Sequence, residues 1–286
     1  MAGSTTTTLN DLLPEIIQEA MFVASERSIM RGLVKNYTLA PGQGKNVNVP
    51  IYPIQTAAAV TEGNEVDNTA VSTNTAQLVV SPVAIRTLLT DLARTSAASN
   101  VVADLGKLFG EALARKMDTD LTALFSTFNA GSGDWTAALS AADIFKSVAQ
   151  LKSAAVPTDG MVCVVHPKIA YDLKAALTTQ GNTPFTAGAY SDVSNEAMRM
   201  GYVGMLAGIP VYETSNIALK AGGEPGEYAG AVFHRDALGL GMIGDIAIET
   251  QRRASFLGDD IVCSAYYGTG ILQNNYGRYL AFDSTI

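Results

Sequence analysis

Lys45-Asn-Val-Asn-Val-Pro-Ile-Tyr-Pro53 and Gln77-Leu-Val-Val-Ser-Pro-Val-Ala-Ile85 are the two runs on which the reading of this chain turns. Val47, Val49 and Ile51 alternate with polar residues, the period of a strand with one covered face. Pro50 and Pro53 exclude an inner-strand position, because proline cannot donate to a ladder. Between the runs, Thr61-Glu-Gly-Asn-Glu-Val-Asp-Asn-Thr69 is polar and acidic, with Gly63-Asn64 suited to a turn. The pattern predicts one long hairpin from Asn46 to Arg86, each arm reaching about 50 Å. Two strands alone are marginally stable in water, and no neighbouring segment is an evident cover. The hairpin therefore calls for partner subunits.

On the N-terminal side, Leu13, Ile16, Ile17, Ala20, Met21 and Ala24 recur at helical spacing after a Thr-rich start. Asn10 or Asp11 caps this expected helix, which carries Pro14 in its first turn and runs to about Arg31. On the C-terminal side, Val101, Val102, Leu105, Leu108, Phe109, Ala112, Leu113, Met117, Leu121, Leu124, Phe125 and Phe128 form one apolar stripe. The spacing predicts a single helix of about 28 residues, a rod of roughly 42 Å, ended by Gly131-Ser-Gly133. The chain then alternates. Ser140 and Asp143 open a helix to Leu151, Met161 to Val165 is a buried strand, and Pro167 opens a helix to Leu177. A loop over 181–195 and a short helix near Glu196 to Met200 precede strands at Gly208 to Tyr212 and Ala231 to Phe233. The tail adds strands at Ile246 to Arg252, Asp260 to Gly268 and Ile271 to Phe282, with Gly277 as a bulge.

The 286 residues are 48% hydrophobic and only 16% charged, which provides a core and excludes whole-chain disorder. Nineteen Lys and Arg against 27 Asp and Glu leave a net charge of −8, which disfavours a dedicated nucleic-acid binder. No Lys or Arg precedes Arg27, so the basic region of a secretory signal is missing, and no apolar run reaches membrane-spanning length. Cys163 and Cys263 sit inside strand-like runs and read as buried small hydrophobes of a protein made in a cytoplasm.

No chemistry emerges. Gly239-Leu-Gly-Met-Ile-Gly244 is a formal dinucleotide-binding pattern, but the residues that follow alternate like a strand and do not open a helix. His166 and His234 are the only histidines, and neither has a metal ligand at usable spacing. Asp118 and Asp120 face different ways on a helix, Asp259 and Asp260 read as solvated at a turn, and Arg252-Arg253 reads as a solvated face or a subunit salt bridge. The chain is read as no enzyme, with no catalytic residue, metal or cofactor.

The order of parts, and the residues filling it, resembles the major capsid protein of tailed bacteriophages, the Johnson or Hong Kong 97-type fold. Leu9 to Arg31 is similar to its N-arm, Asn46 to Arg86 to its E-loop with Ala59-Val-Thr-Glu-Gly-Asn-Glu65 as the tip, and Ser99 to Phe128 to its spine helix. Val162 to Lys168, Gly204-Met-Leu-Ala-Gly-Ile-Pro-Val-Tyr212, Ala231 to Asp236 and Tyr266-Tyr-Gly-Thr-Gly270 complete the likeness. The resemblance implies an α+β chain with an N-arm over 1–40, an E-loop hairpin over 41–90 and a peripheral domain with the spine helix over 91–140. It implies an axial domain over 141–240 and a β-rich return over 241–286. It also implies a subunit interface carried by Ile16, Ile17 and Met21 of the N-arm and by Ile51, Tyr52, Glu62, Glu65 and Asp67 of the hairpin. Function and partners follow: pentamers and hexamers closing into an icosahedral virion shell, with scaffold, portal and decoration proteins as further partners. The shell encloses double-stranded DNA without sequence-specific binding and without a membrane. The short Thr-rich lead implies a separate scaffold protein or assembly without one. The alternatives are an encapsulin-type cargo shell on the same fold and an oxidoreductase built on Gly239 to Gly244.

Overall fold

The computed structural model describes residues 28–40, 42, 44–52, seven positions between 55 and 65, and then 70–96, 101–179 and 202–286. The expected N-terminal helix, the loop over 181–195 and the short helix after it lie outside the described residues, apart from the end of the first. In chain order the first elements are α1 (Met30–Leu33), β1 (Lys35–Leu39), β2 (Asn46–Ile51), β3 (Asn74–Val79), β4 (Ser81–Thr90), α2 (Asp91–Ser96) and α3 (Val101–Ala123). There follow β5 (Asn129–Asp134), α4 (Ala141–Ser153), β6 (Met161–Val165), α5 (Pro167–Thr179), β7 (Tyr202–Leu206) and β8 (Ile209–Glu213). The chain ends with β9 (Glu227–His234), β10 (Leu238–Arg253), β11 (Gly258–Ile271) and β12 (Gly277–Asp283).

Two larger sheets share the molecule. One has the order β1-β10-β11-β4, the other β5-β12-β9-β6-β8-β7, while β2 and β3 pair with each other. Met161-Val-Cys-Val-Val165 is buried at every position because the six-stranded sheet is covered on both faces. Val162, Val164, Ala231 and Phe233 belong to the core beneath α3, whereas Met161, Cys163, Val165 and Val232 pack with residues of α4 and α5. Both cysteines are free and buried, and burial pushes the Cys163 thiol up to about 12 and that of Cys263 to about 11.

Helix α4 starts as its sequence predicts, with the Ser140 N–H and Oγ donating to Asp143 Oδ2 at 3.1 and 2.6 Å. Helix α3 is shorter than its stripe predicts. Leu105, Phe109, Leu113, Met117 and Leu121 are buried, but Leu108 is 58% exposed. Its 23 residues make a rod of about 35 Å. A 3₁₀ turn over Leu124–Thr127 follows, and then Asn129–Asp134 joins a sheet as β5, beside β12. Gly131 and Gly133 had the look of helix terminators; in the fold they allow close pairing. A Cβ on Gly131 would stand 2.9 Å from the Tyr279 carbonyl oxygen, and Gly133 has φ +103°.

The hairpin also departs from expectation. Its ladder has six pairs, from Asn46 opposite Val79 to Ile51 opposite Asn74. After Val80 the returning arm leaves it, and Ser81 to Thr90 pairs with β11 at the edge of the four-stranded sheet. Val83, Ile85 and Leu89 pack there against the main core, so apolar burial draws the arm away. In the tail, the expected strand from Ile246 extends back to Leu238 and takes in Gly239 and Gly241, with a register shift between Ile243 and Ala247. The strand expected from Ile271 to Phe282 is broken by a 3₁₀ turn at Asn274–Tyr276.

Candidate functional site

Alternation along the hairpin gives it an apolar face. Val47, Val49 and Ile51 of β2 are half-buried, as is Ala76 of β3, while Leu78 is fully buried. The inner end is thus covered by its own subunit and the outer end only partly. Beyond the ladder Tyr52 is 67% exposed, and Glu62 and Glu65 are exposed at a turn where Gly63 has φ +91°. Val60 and Val71 are exposed too. Ile16, Ile17, Met21 and Asp67, the other expected interface residues, lie outside the described residues.

Where the N-terminal segment enters the fold, a buried carboxylate holds it. Asp118, on α3, accepts from Ser28 Oγ at 2.7 Å, from the backbone N–H groups of Ile29 and Met30 at 3.2 and 3.3 Å, and from Asn216 Nδ2 at 3.3 Å. Burial pushes its pKa up, against the pull of those donors. Asp120 turns the other way and accepts from Lys116 Nζ and Tyr267 Oη. The two aspartates face different ways, as their two-residue spacing on a helix implies, and nothing near Asp118 in the sequence marks its partners. Its donors stand 88–98 residues away, beyond any local signal.

A third feature lies where β10 turns into β11. Asp259 and Asp260 were expected to be solvated; they are 8% and 3% exposed. Asp260 Oδ2 accepts from Arg86 Nη2 at 2.8 Å and pairs with Arg253 Nε at 2.7 Å. Arg252 forks onto Asp91 at 2.7 and 2.6 Å and reaches Asp259 at 3.5 Å, with Arg94 4.0 Å from Asp259. The Arg252 fork holds the Asp91 carboxyl below its ordinary value. Arg252 and Arg253 therefore make ion pairs within the subunit while 47% and 40% of their side chains stay exposed. Four arginines meet three aspartates here, beside Leu92, Phe256 and Leu257, which are 77%, 55% and 68% exposed. Arg253 also lies over the Phe256 ring, 5.6 Å from its centroid.

The chemistry-bearing residues of the sequence occupy structural positions. Gly239 and Gly241 sit inside a strand, so the loop-to-helix geometry of a pyrophosphate site is not formed there. His166 stacks on Tyr228 at 3.6 Å, and burial, with Lys168 nearby, pushes its pKa down to about 4. His234 Nε2 lies 2.8 Å from the Asp159 carbonyl oxygen while Nδ1 accepts from the Asp236 N–H at 3.2 Å, which assigns the ring proton to Nε2. Among the described residues no group of three His, Cys, Asp or Glu side chains is placed to hold a metal ion, and no helix is long and apolar enough to cross a membrane.

A family model described as phage capsid protein matches residues 87–281. No curated protein sequence matches the chain. Solved structures do. The capsid structure of Cyanophage P-SCSP1u superposes with a TM-score of 0.67 at 19% identity, over 90% of this chain and 89% of that one. A structure from Mycobacterium phage Che8 gives 0.61 at 22% identity over 84% and 85%. An encapsulin complex from Synechococcus elongatus gives 0.62 at 11% identity over 90% and 88%. The fold shared with these structures is the Hong Kong 97-type fold.

Proposed function

The chain belongs to the phage capsid protein family, and from that premise we propose that it is the major shell subunit of a tailed double-stranded DNA phage, closing as pentamers and hexamers into an icosahedral head. The hairpin carries this reading. Val47, Val49 and Ile51 are only half-buried by their own subunit, and beyond the ladder Tyr52, Val60 and Val71 are exposed apolar side chains. A neighbouring copy supplies the missing surface. Residues 41–80 act as the E-loop and residues 1–27 as the N-arm across a second neighbour, with Ile16, Ile17 and Met21 on its apolar stripe. The four-stranded sheet with α3 forms the peripheral domain and the six-stranded sheet the axial one. The acidic tip, Glu62 and Glu65 with Asp67, meets a basic side chain of a neighbour. A net charge of −8 suits a wall along which DNA slides without being gripped. Assembly takes place in a bacterial cytoplasm, with scaffold, portal and decoration proteins as partners.

The test replaces residues 55–70 by a short Gly-Ser turn, which spares the six-pair ladder. Electron microscopy and sedimentation should find folded subunits or capsomers that no longer close; normal particles would count decisively against the reading. A second reading, a cargo-enclosing shell, is favoured by the likeness to the encapsulin. The contents of purified particles separate the two, since a phage head holds nuclease-protected DNA and a cargo shell holds a co-purifying protein.

A further inference from the structure

Gly239, Gly241, Gly268 and Gly270 form two facing pairs in the β10–β11 ladder, Gly239 opposite Gly270 and Gly241 opposite Gly268. Two-residue spacing puts all four on one face of the sheet. This patch is bare backbone, and the root of the hairpin lies on it. A Cβ on Gly270 would stand 2.6 Å from Leu78 Cδ2, one on Gly239 2.9 Å from Leu78 Cδ1, and one on Gly241 3.2 Å from Val47 Cγ2. One on Gly268 would overlap the Val79 carbonyl oxygen. None of the four has a positive φ, so the backbone conformation does not ask for glycine; the space does. Val47 and Leu78, which face the patch, are partners in the hairpin ladder. Leu78 is fully buried, where the hairpin joins the sheet over these glycines and beside Leu272.

We propose that the four glycines are a seat that sets where and at what angle the hairpin leaves the subunit, and that faithful shell closure depends on it. The proposal rests on the reading of the hairpin as an intersubunit element. A 1 Å lift across a seat about 7 Å deep swings the far end of the ladder, about 13 Å away, by roughly 2 Å. Preformed interfaces shift by about 1 Å or less on association, so one added methyl group at the seat is enough to misplace the outer hairpin.

The experiment expresses the full chain carrying Gly270→Ala, Gly241→Ala, Gly268→Ala or Gly270→Ala with Leu78→Ala, beside the variant with residues 55–70 shortened. Closed particles are counted by electron microscopy and sedimentation, and folding is followed by thermal melting of unassembled subunits. Gly270→Ala and Gly268→Ala should keep a cooperative melt and lose closed shells at least ten-fold. Gly241→Ala should lose fewer, and Leu78→Ala should restore closure to Gly270→Ala by removing the colliding methyl groups. The seat is refuted if Gly270→Ala and Gly268→Ala close normally, if Leu78→Ala fails to rescue, or if all three single variants lose shells only because the subunit unfolds. Normal shells from the shortened hairpin would instead bring down the intersubunit reading, and the seat with it. If the shortened hairpin fails to close while the glycine variants succeed, the seat alone falls.

Discussion

Asp260 stands where three adjacent strands meet, and one of its oxygens takes a guanidinium from β4 and another from β10. The carboxylate is buried while Arg86 and Arg253 keep 52% and 40% of their side chains exposed. Asp260→Ala therefore releases two cations that can turn to water, and its cost falls below that of breaking a fully buried pair, at about 1–3 kcal/mol. Urea unfolding of dissociated subunits should show that loss. His166 sets a pH dependence. Its folded pKa of about 4 lies below the ordinary 6.5, so the fold prefers the neutral ring. That contribution is complete above about pH 6.5 and is lost as pH falls toward 4. Asp118, whose pKa is raised by burial, works in the opposite direction and gains as pH falls. His166→Phe keeps a ring against Tyr228 and removes only the first effect. Melting temperatures of dissociated subunits should thus decline less between pH 6.5 and 4 in the variant than in the wild type; parallel profiles would refute the assignment.

At the scale of elements, α1 is four residues long and has no local reason to persist. Asp118 holds its entry from outside, through two backbone N–H groups and a serine hydroxyl. Asp118→Ala leaves these donors unpaired in a buried site, at a cost on the order of 3 kcal/mol. Limited proteolysis should then cut first between residues 28 and 40, with the sheets intact; an unchanged digestion pattern would show that the clasp does not hold the junction. The hairpin was legible as a hairpin because its alternation is local. Its root was not. Leu78 and Gly270 are 192 positions apart, and nothing in the spacing of either run says that one covers the other. The same holds for β5, whose Asn-Ala-Gly-Ser-Gly-Asp sequence has poor strand propensity and is held by β12.

For the assembled molecule, the hairpin offers no covalent weld of the lysine type. Lys45 lies at its base, and the next lysine is Lys107 on α3. An amine must reach across the interface and lose its proton before it can attack an amide, and Glu62 and Glu65 stand at the tip instead. Arg86 is no substitute, because a guanidinium stays protonated. An exposed ion pair at the tip contributes about 0–1 kcal/mol, so on the proposed reading of the hairpin as an intersubunit element, buried apolar surface holds the shell. Mature particles boiled in denaturant should run as one band near 30.0 kDa; a ladder of oligomers that survives reductant would overturn this.

The sequence by itself determined what depends on near neighbours: the alternation of β2, the stripe of α3, the cap of α4 and the uninterrupted apolar run of β6. It also determined the negative charge and the lack of a helix after Gly244. Only the tertiary structure decided where distant residues meet. It paired Asp118 with Ser28, buried Asp259 and Asp260 among four arginines, split the hairpin at Val80 and put Leu78 on a floor of glycines. The physical reason is one of range. Propensity and periodicity act over a turn or a strand, whereas a desolvated charge or a missing Cβ has meaning only once the opposing surface is in place.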